Sequence, residues 1–266
     1  MWPVHVINLA ANTSRLAAVS QVLGRLGIAF ERIEAVNGWT LAPAEIAQAY
    51  DAPRNAREGR QPLVAAEIGC YLSHIAAWRR IAGGAAAGGF VFEDDFDATP
   101  DLAQVLLALG TDQTGDWDMV KLFTLDPGVA LAGARDLGPG VAIGIPYRVP
   151  TCLIGYGLTR EAASRLLARA GRFFRPVDED QKFVWETGLR VALVLPPPVI
   201  LGDQQAVTGT IGRARRDGRD KGLGQVLHRL RYNLRYRRAL ARHRRSQGWH
   251  AEGRHTKGRH IKDQRP

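Results

Sequence analysis

Only two cysteines, Cys70 and Cys152, occur in 266 residues, each inside an apolar segment. That scarcity excludes a disulfide framework and fits buried thiols in a reducing compartment. No run approaches the roughly 18 to 20 apolar residues of a membrane-spanning helix. The opening stretch Met1–Leu9 has no basic region ahead of a very short apolar run, so no secretory signal is expected. A cytoplasmic setting follows as the expectation. Acidic residues are scarce in one region. From 212 to 266 there are four (Asp217, Asp220, Glu252, Asp263) against 18 Lys and Arg. The formal charge of +10 therefore splits into about +14 on this segment and about −4 on residues 1–211. Two parts are expected, a folded domain over 1–211 and a basic tail over 212–266.

What is present suits one large α/β domain: 45% hydrophobic and 23% charged residues, in a chain of sufficient length. His5–Leu9 reads as a strand, Arg15–Leu26 as a helix and Ile28–Val36 as a second strand ending at the turn Asn37-Gly38. This is the pattern of a parallel βαβ unit. A short helix is expected over 41–50 and a polar loop over 51–62. Ala65–Ala82 reads as a helix with Ile68, Tyr71, Leu72, Ile75, Trp78 and Ile81 on one face. A helix through Leu102–Leu109 and a strand over Trp117–Phe123 come next, then a long loop over 125–144. The spacing further predicts a strand over 147–158, a helix capped by Thr159, and a last core strand over Arg190–Leu195.

The stretch Gly89-Phe90-Val91-Phe92-Glu93-Asp94-Asp95-Phe96-Asp97 stands out. A buried-strand pattern runs straight into three carboxylates, which repel one another unless a cation joins them. Hard oxygen donors suit Mg²⁺ or Mn²⁺, and the carboxyl ends of strands are where open α/β sheets bind ligands. The plainer alternative is a solvated acidic turn. A second acidic cluster, Pro176-Val177-Asp178-Glu179-Asp180, precedes a helical stretch. It either caps that helix or supplies a general base. Arg15 leans toward a bound diphosphate or is a solvated helix charge. Lys121, inside a strand, faces solvent or an anion, and His74 beside Ser73 is structural or catalytic. In the tail, Leu223, Val226, Leu227, Leu230, Leu234 and Ala241 share a helix face amid arginines. That pattern belongs to a helix lying on an anionic membrane. Nucleic acid is the competing partner, but no nucleic-acid motif is visible. Beyond Ser246 disorder is expected.

In order along the chain, several stretches resemble glycosyltransferase family 25, the lipooligosaccharide galactosyltransferases. They are His5-Val6-Ile7-Asn8-Leu9 with Arg15, Gly27-Ile28-Ala29-Phe30 leading to Ala35-Val36-Asn37-Gly38, and Glu67-Ile68-Gly69-Cys70-Tyr71-Leu72-Ser73-His74 with Trp78. Val91-Phe92-Glu93-Asp94-Asp95, Gly155-Tyr156, Pro176-Val177-Asp178 and a weak Asp203-Gln204 follow. The resemblance spans roughly residues 4–211 and implies a GT-A-like, Rossmann-related single catalytic domain. It also implies inverting transfer of a sugar, often galactose, from a UDP-sugar to a lipopolysaccharide or other surface-glycan acceptor. Glu93, Asp94 and Asp95 would hold Mn²⁺ (or Mg²⁺), and Asp178, with Asp180 second, would be the base. Asn8, Arg15, Asn37, Ser73, His74 and Lys121 would serve the donor. The family's His near the Asp-Gln pair is missing here, where Leu201-Gly202 stands. The basic tail fits an enzyme peripheral on the inner face of the cytoplasmic membrane. From other classes, a catalytically silent binding protein and a metal-dependent phosphoesterase are the alternatives.

Overall fold

The computed structural model describes residues 1–202 and 223–249. The chain opens with β1 (Val4–Asn8), α1 (Thr13–Arg25) and β2 (Glu31–Glu34), the last parallel to β1 as the βαβ pattern requires. A 3-10 turn over Gly38–Thr40 leads to α2 (Pro43–Ala49), α3 (Ala52–Glu58) and α4 (Ala65–Gly83). β3 (Gly88–Glu93), β4 (Phe96–Ala98), α5 (Leu102–Thr111) and β5 (Met119–Lys121) follow. Next come β6 (Leu131–Gly138), β7 (Val141–Pro146), β8 (Gly155–Thr159) and α6 (Arg160–Arg169). Two short helices, α7 (Val177–Asp180) and α8 (Val184–Thr187), precede β9 (Val191–Leu195) and β10 (Val199–Leu201). The last described element is α9 (Leu223–Ser246).

Eight of the described strands form one mixed sheet in the order β2-β1-β3-β8-β5-β9-β7-β6, and β10 pairs with β4 in a separate ribbon. Side chains alternate faces along a strand, and the two faces hold separate cores. Val4, Val6, Phe90, Phe92, Val120 and Val194 pack with α1 and α5 on one side. Ile7, Val91, Met119, Tyr156 and Val191 pack with α4 and α6 on the other. The result is a helix–sheet–helix sandwich, the mixed α/β class expected.

Three segments depart from the sequence reading. Residues 51–62 hold α3, because the Asp51 side chain accepts the Arg54 N–H at 3.0 Å and caps it. The long loop over 125–144 contains the β6–β7 hairpin. Gly140 (φ +73°) turns it, and Arg135, paired with Asp112 and Asp116, ties it to the end of α5. The strand expected over 147–158 begins only at Gly155. Before it the chain bends through Cys152, whose φ of +68° is unusual for a residue with a side chain.

The loop after β2 crosses α4 with no room to spare. A Cβ at Gly69 would come within 2.4 Å of the Val36 carbonyl and 2.5 Å of the Gly38 nitrogen, both backbone. The Ser73 hydroxyl accepts the Val36 N–H at 2.8 Å and donates to the Gly69 carbonyl at 2.7 Å, pinning the crossing. Gly69→Ala is expected to cost about 1–3 kcal/mol of stability, as overpacking does. A urea midpoint unchanged from wild type would refute the close approach.

Candidate active site at the carboxyl edge of the sheet

Five strands, β1, β2, β3, β5 and β9, run in one direction, with β8 opposed between β3 and β5. Asn8, Glu93 and Lys121, the last residues of β1, β3 and β5, therefore reach the same edge of the sheet. β4 and β10 fold over that edge, and the Gly202 N–H donates to the Asp95 carbonyl at 3.1 Å.

The three consecutive acids take different partners. Asp94 is buried, with Oδ2 accepting from Asn8 Nδ2 at 2.6 Å and Oδ1 paired with Arg15 Nη1 at 2.9 Å. Arg32 Nε donates to Asn8 Oδ1 at 3.0 Å, which fixes the amide so that its NH₂ faces the acid. Asp95 lies 4.0 Å from the same Arg15 guanidinium. Glu93 turns to α4 instead, where His74 Nε2 meets its Oε1 at 3.2 Å. His74 Nδ1 faces the Tyr156 hydroxyl at 3.0 Å, and Trp78 Nε1 donates to that hydroxyl at 2.9 Å. Indole nitrogen can only donate. Tyr156 is thus free to give its hydrogen to Nδ1, leaving Nε2–H to face the carboxylate. Cys70, His74 and Trp78 stand one turn apart on α4, so the Cys70 thiol shares this corner. Burial, with Glu93, Asp178, Glu67 and Asp95 around it, pushes that thiol well above its usual range.

Asp178, in the first turn of α7, lies on the far side of the bend at Cys152. Its Oδ2 accepts the Cys152 N–H at 3.1 Å and its Oδ1 the Glu179 N–H at 2.8 Å. The Cys152 carbonyl in turn accepts from Lys121 Nζ. Lys121 is fully buried, and burial pushes its amine down to about 8 although Asp178 and Glu93 favour its charge. Cys152 is clamped at both ends of its peptide units, which holds it in the left-handed region at a cost of about 1–3 kcal/mol.

Asn8, Arg15, Asp94 and Asp95 form one group, His74 and Glu93 a second, and Lys121 and Asp178 a third, all at one edge. Three other candidates are engaged elsewhere. Asn37 is exposed and its side chain accepts the Trp39 N–H at 3.1 Å. Ser73 pins the loop crossing already described. Asp180 accepts from Tyr71 at 2.8 Å and Arg175 at 2.9 Å, and burial raises its carboxyl. Sequence reasoning passed over Arg32, Cys152 and Tyr156 as site residues. For Tyr156 a signal existed: it is the large residue between two glycines in β8, and those glycines leave room on the opposite face for Phe90 and Phe92.

Lys121 supplies a test. Above about 8 the folded chain releases its proton, whereas an unfolded chain keeps it up to about 10.5. The unfolded state binds more protons in that interval, so this group raises stability as pH climbs through it. Lys121→Met removes the effect. The urea midpoints of wild type and variant should separate in favour of wild type between those pH values, and a pH-independent difference would show that Lys121 titrates normally.

Residues 1–123 match the model of glycosyltransferase family 25 (LPS biosynthesis protein). Similar proteins include human inactive glycosyltransferase 25 family member 3, 28% identical over 188 residues, covering 66% of this chain and 30% of that protein. Procollagen galactosyltransferase 1-A of Xenopus laevis is 31% identical over 129 residues, covering 45% and 20%. A glycosyltransferase 25 family member of Anopheles gambiae is 27% identical over 176 residues, covering 62% and 28%. The chain spans about 30% of the length of the first of these relatives. Asn8, Arg15, His74, Glu93, Asp94, Asp95 and Lys121 all fall inside the matched residues 1–123, the segment over which the chain is similar to glycosyltransferase family 25.

Proposed function

We propose that the chain is an inverting glycosyltransferase of GT-A type, moving galactose or a similar sugar from a UDP-sugar to a hydroxyl of a lipopolysaccharide or related surface glycan. One observation carries this reading: Asp94 and Asp95 gather with Arg15 where β1 and β3 end, Glu93 adjoins them, and Asp178 stands across the Cys152 bend. Nucleotide ligands favour that edge of an α/β sheet.

The donor set fits a hard divalent cation, Mn²⁺ or Mg²⁺. Asp94 has both oxygens committed to Asn8 and Arg15, so Glu93 and Asp95 would hold the ion while Asp94 fixes the strand end. When bound, the ion offsets the charge that grows on the diphosphate leaving group. Arg15 adds positive charge beside it. Asp178, with each oxygen held by a backbone amide, is a rigid acceptor for the proton of the attacking hydroxyl. Asp180 serves by bracing α7 through Tyr71 and Arg175.

The same proposal assigns α9 to an anionic membrane on the cytoplasmic side. Its inner stripe, Tyr232, Tyr236 and Leu240, packs on Phe183 and Trp185. Its outer stripe, Val226, Leu227, Leu230 and Leu234, is 49–59% exposed. Arg231, Arg235, Arg237, Arg238, Arg242 and Arg245 are exposed around it, and the helix contains no acid. An apolar stripe flanked by arginines matches an interfacial helix. Among the described residues no helix is long and apolar enough to cross a membrane. Tyr232 bonds Glu179 at 3.1 Å, so a helix lying on lipid would hold Asp178 close to a lipid-linked acceptor.

Calorimetric titration of UDP with and without Mn²⁺ tests the donor site. Binding should require metal and disappear in Asp95→Ala. Asp178→Ala should keep it and lose about a hundredfold or more in turnover. Metal-dependent UDP binding with no transfer to any acceptor would mean a silent protein. UDP-sugar cleavage at full rate without acceptor would favour the phosphoesterase.

For the membrane, Leu230→Glu with Leu234→Glu should weaken binding to anionic vesicles and spare transfer to a soluble acceptor. Equal vesicle binding would end the assignment.

A further inference from the structure

We infer that Cys70, His74 and Glu93 form a second, soft-metal site that takes Zn²⁺ rather than Mn²⁺. One donor atom from each lies within 4.8 Å of the other two. Tetrahedral zinc, with bonds of about 2.0–2.3 Å, spaces its ligand atoms about 3.3–3.8 Å apart. His74 Nε2 and Glu93 Oε1 already stand at 3.2 Å, and a movement of about 1 Å closes the set. Cys70 and His74 sit four residues apart on α4, so their side chains point the same way along one face.

The surroundings favour a cation there. Glu67, Asp95 and Asp178 all act on the Cys70 thiol in addition to Glu93. His74 is fully buried, and its other nitrogen faces Tyr156. A histidine ligand is usually held in this way by an outer partner. With Nε2 on the metal, Nδ1–H donates to the Tyr156 hydroxyl, which has a second lone pair besides the one taken by Trp78. Ligation releases the thiol proton of Cys70 to solvent, and the thiolate binds. Sulfur and imidazole select Zn²⁺ over Mg²⁺ and Mn²⁺, and three protein ligands leave the fourth position open. Glu93 is shared with the donor-metal set, but Cys70 and His74 are not, so the site stands whether or not the chain transfers sugar.

Co²⁺ bound to the full chain reports on it, since a thiolate ligand gives a near-ultraviolet charge-transfer band. We expect one Co²⁺ per chain with that band, bleached by equimolar Zn²⁺. Cys70→Ser should abolish the band, and His74→Gln should weaken Co²⁺ binding about tenfold or more, the scale of losing a well-held ligand. Cys152→Ser and Asp95→Ala should retain the band. Asp95→Ala also separates this site from the donor site, because it removes metal-dependent UDP binding alone. Absence of the band in wild type, its survival in Cys70→Ser or its loss in Cys152→Ser would each overturn the site. Where Cys70→Ser does not fold, the nearly isosteric Glu93→Gln decides, and unchanged Co²⁺ affinity there would overturn it equally.

Discussion

Four carboxylates, those of Glu93, Asp94, Asp95 and Asp178, crowd one edge of the sheet, and their mutual repulsion dictates what surrounds them. Two unit charges 4 Å apart interact by about 4 kcal/mol at an effective dielectric of about 20. The fold answers with a different compensation for each acid. Asp94 receives an arginine and an amide, Asp95 the more distant side of that arginine, Glu93 a histidine, and Asp178 two backbone N–H groups. Lys121 is buried between Asp178 and Glu93 although burial depresses its amine. None of these is a cheap arrangement. A buried lysine and a left-handed cysteine both oppose folding, and the two cores on either side of the sheet must offset them. Such costs gather at functional sites because the chemistry needs the charge density.

The legible parts of this sequence were those with a period. The apolar runs of β1 and β3 and the helical spacing of α4 gave the mixed α/β class, and the run of acids after β3 marked the candidate site. Aperiodic segments were less readable. The β6–β7 hairpin hid in a glycine-rich stretch because its strands are partly exposed and its register is broken at Ala132–Arg135. The left-handed bend at Cys152 had no signal, since the residue that adopts it is not glycine. Within the candidate site, the sequence names residues but not their partners. Spacing cannot reveal that Asp94 meets Asn8, 86 positions away. Nor can it reveal that Lys121 is buried, with its amine on the Cys152 carbonyl and Asp178 and Glu93 nearby.

The C-terminal helix shows how one amphipathic pattern can carry two faces. The leucine stripe noticed in the sequence is the outer one. The inner face is aromatic and polar: Tyr232 and Tyr236 lie against Phe183, Trp185 and Glu179, and the buried Arg244 donates to the Pro146 and Tyr147 carbonyls. A tyrosine stripe reads as amphipathic surface until its partners are known, because its hydroxyl suits water as well as Glu179. The docked face removes the freedom a tethered helix would have. Forces applied to α9 act through Tyr232 and Glu179 on α7, the helix that carries Asp178.

On the two proposals above, Glu93 is the residue for which the two metal chemistries would compete. Turned outward, it is a hard oxygen donor beside Asp95. Turned toward α4, as it stands, it completes a set with sulfur and imidazole. The Trp78–Tyr156–His74 chain favours the second orientation, because it holds the imidazole with Nε2 aimed at the carboxylate. A soft cation at Cys70 would strengthen that hold and take one ligand from the donor metal. A hard cation brought in by a nucleotide diphosphate would have to win Glu93 back. On the two proposed sites the balance would rest on one glutamate rotamer, and the donor site would be sensitive to which metal is bound.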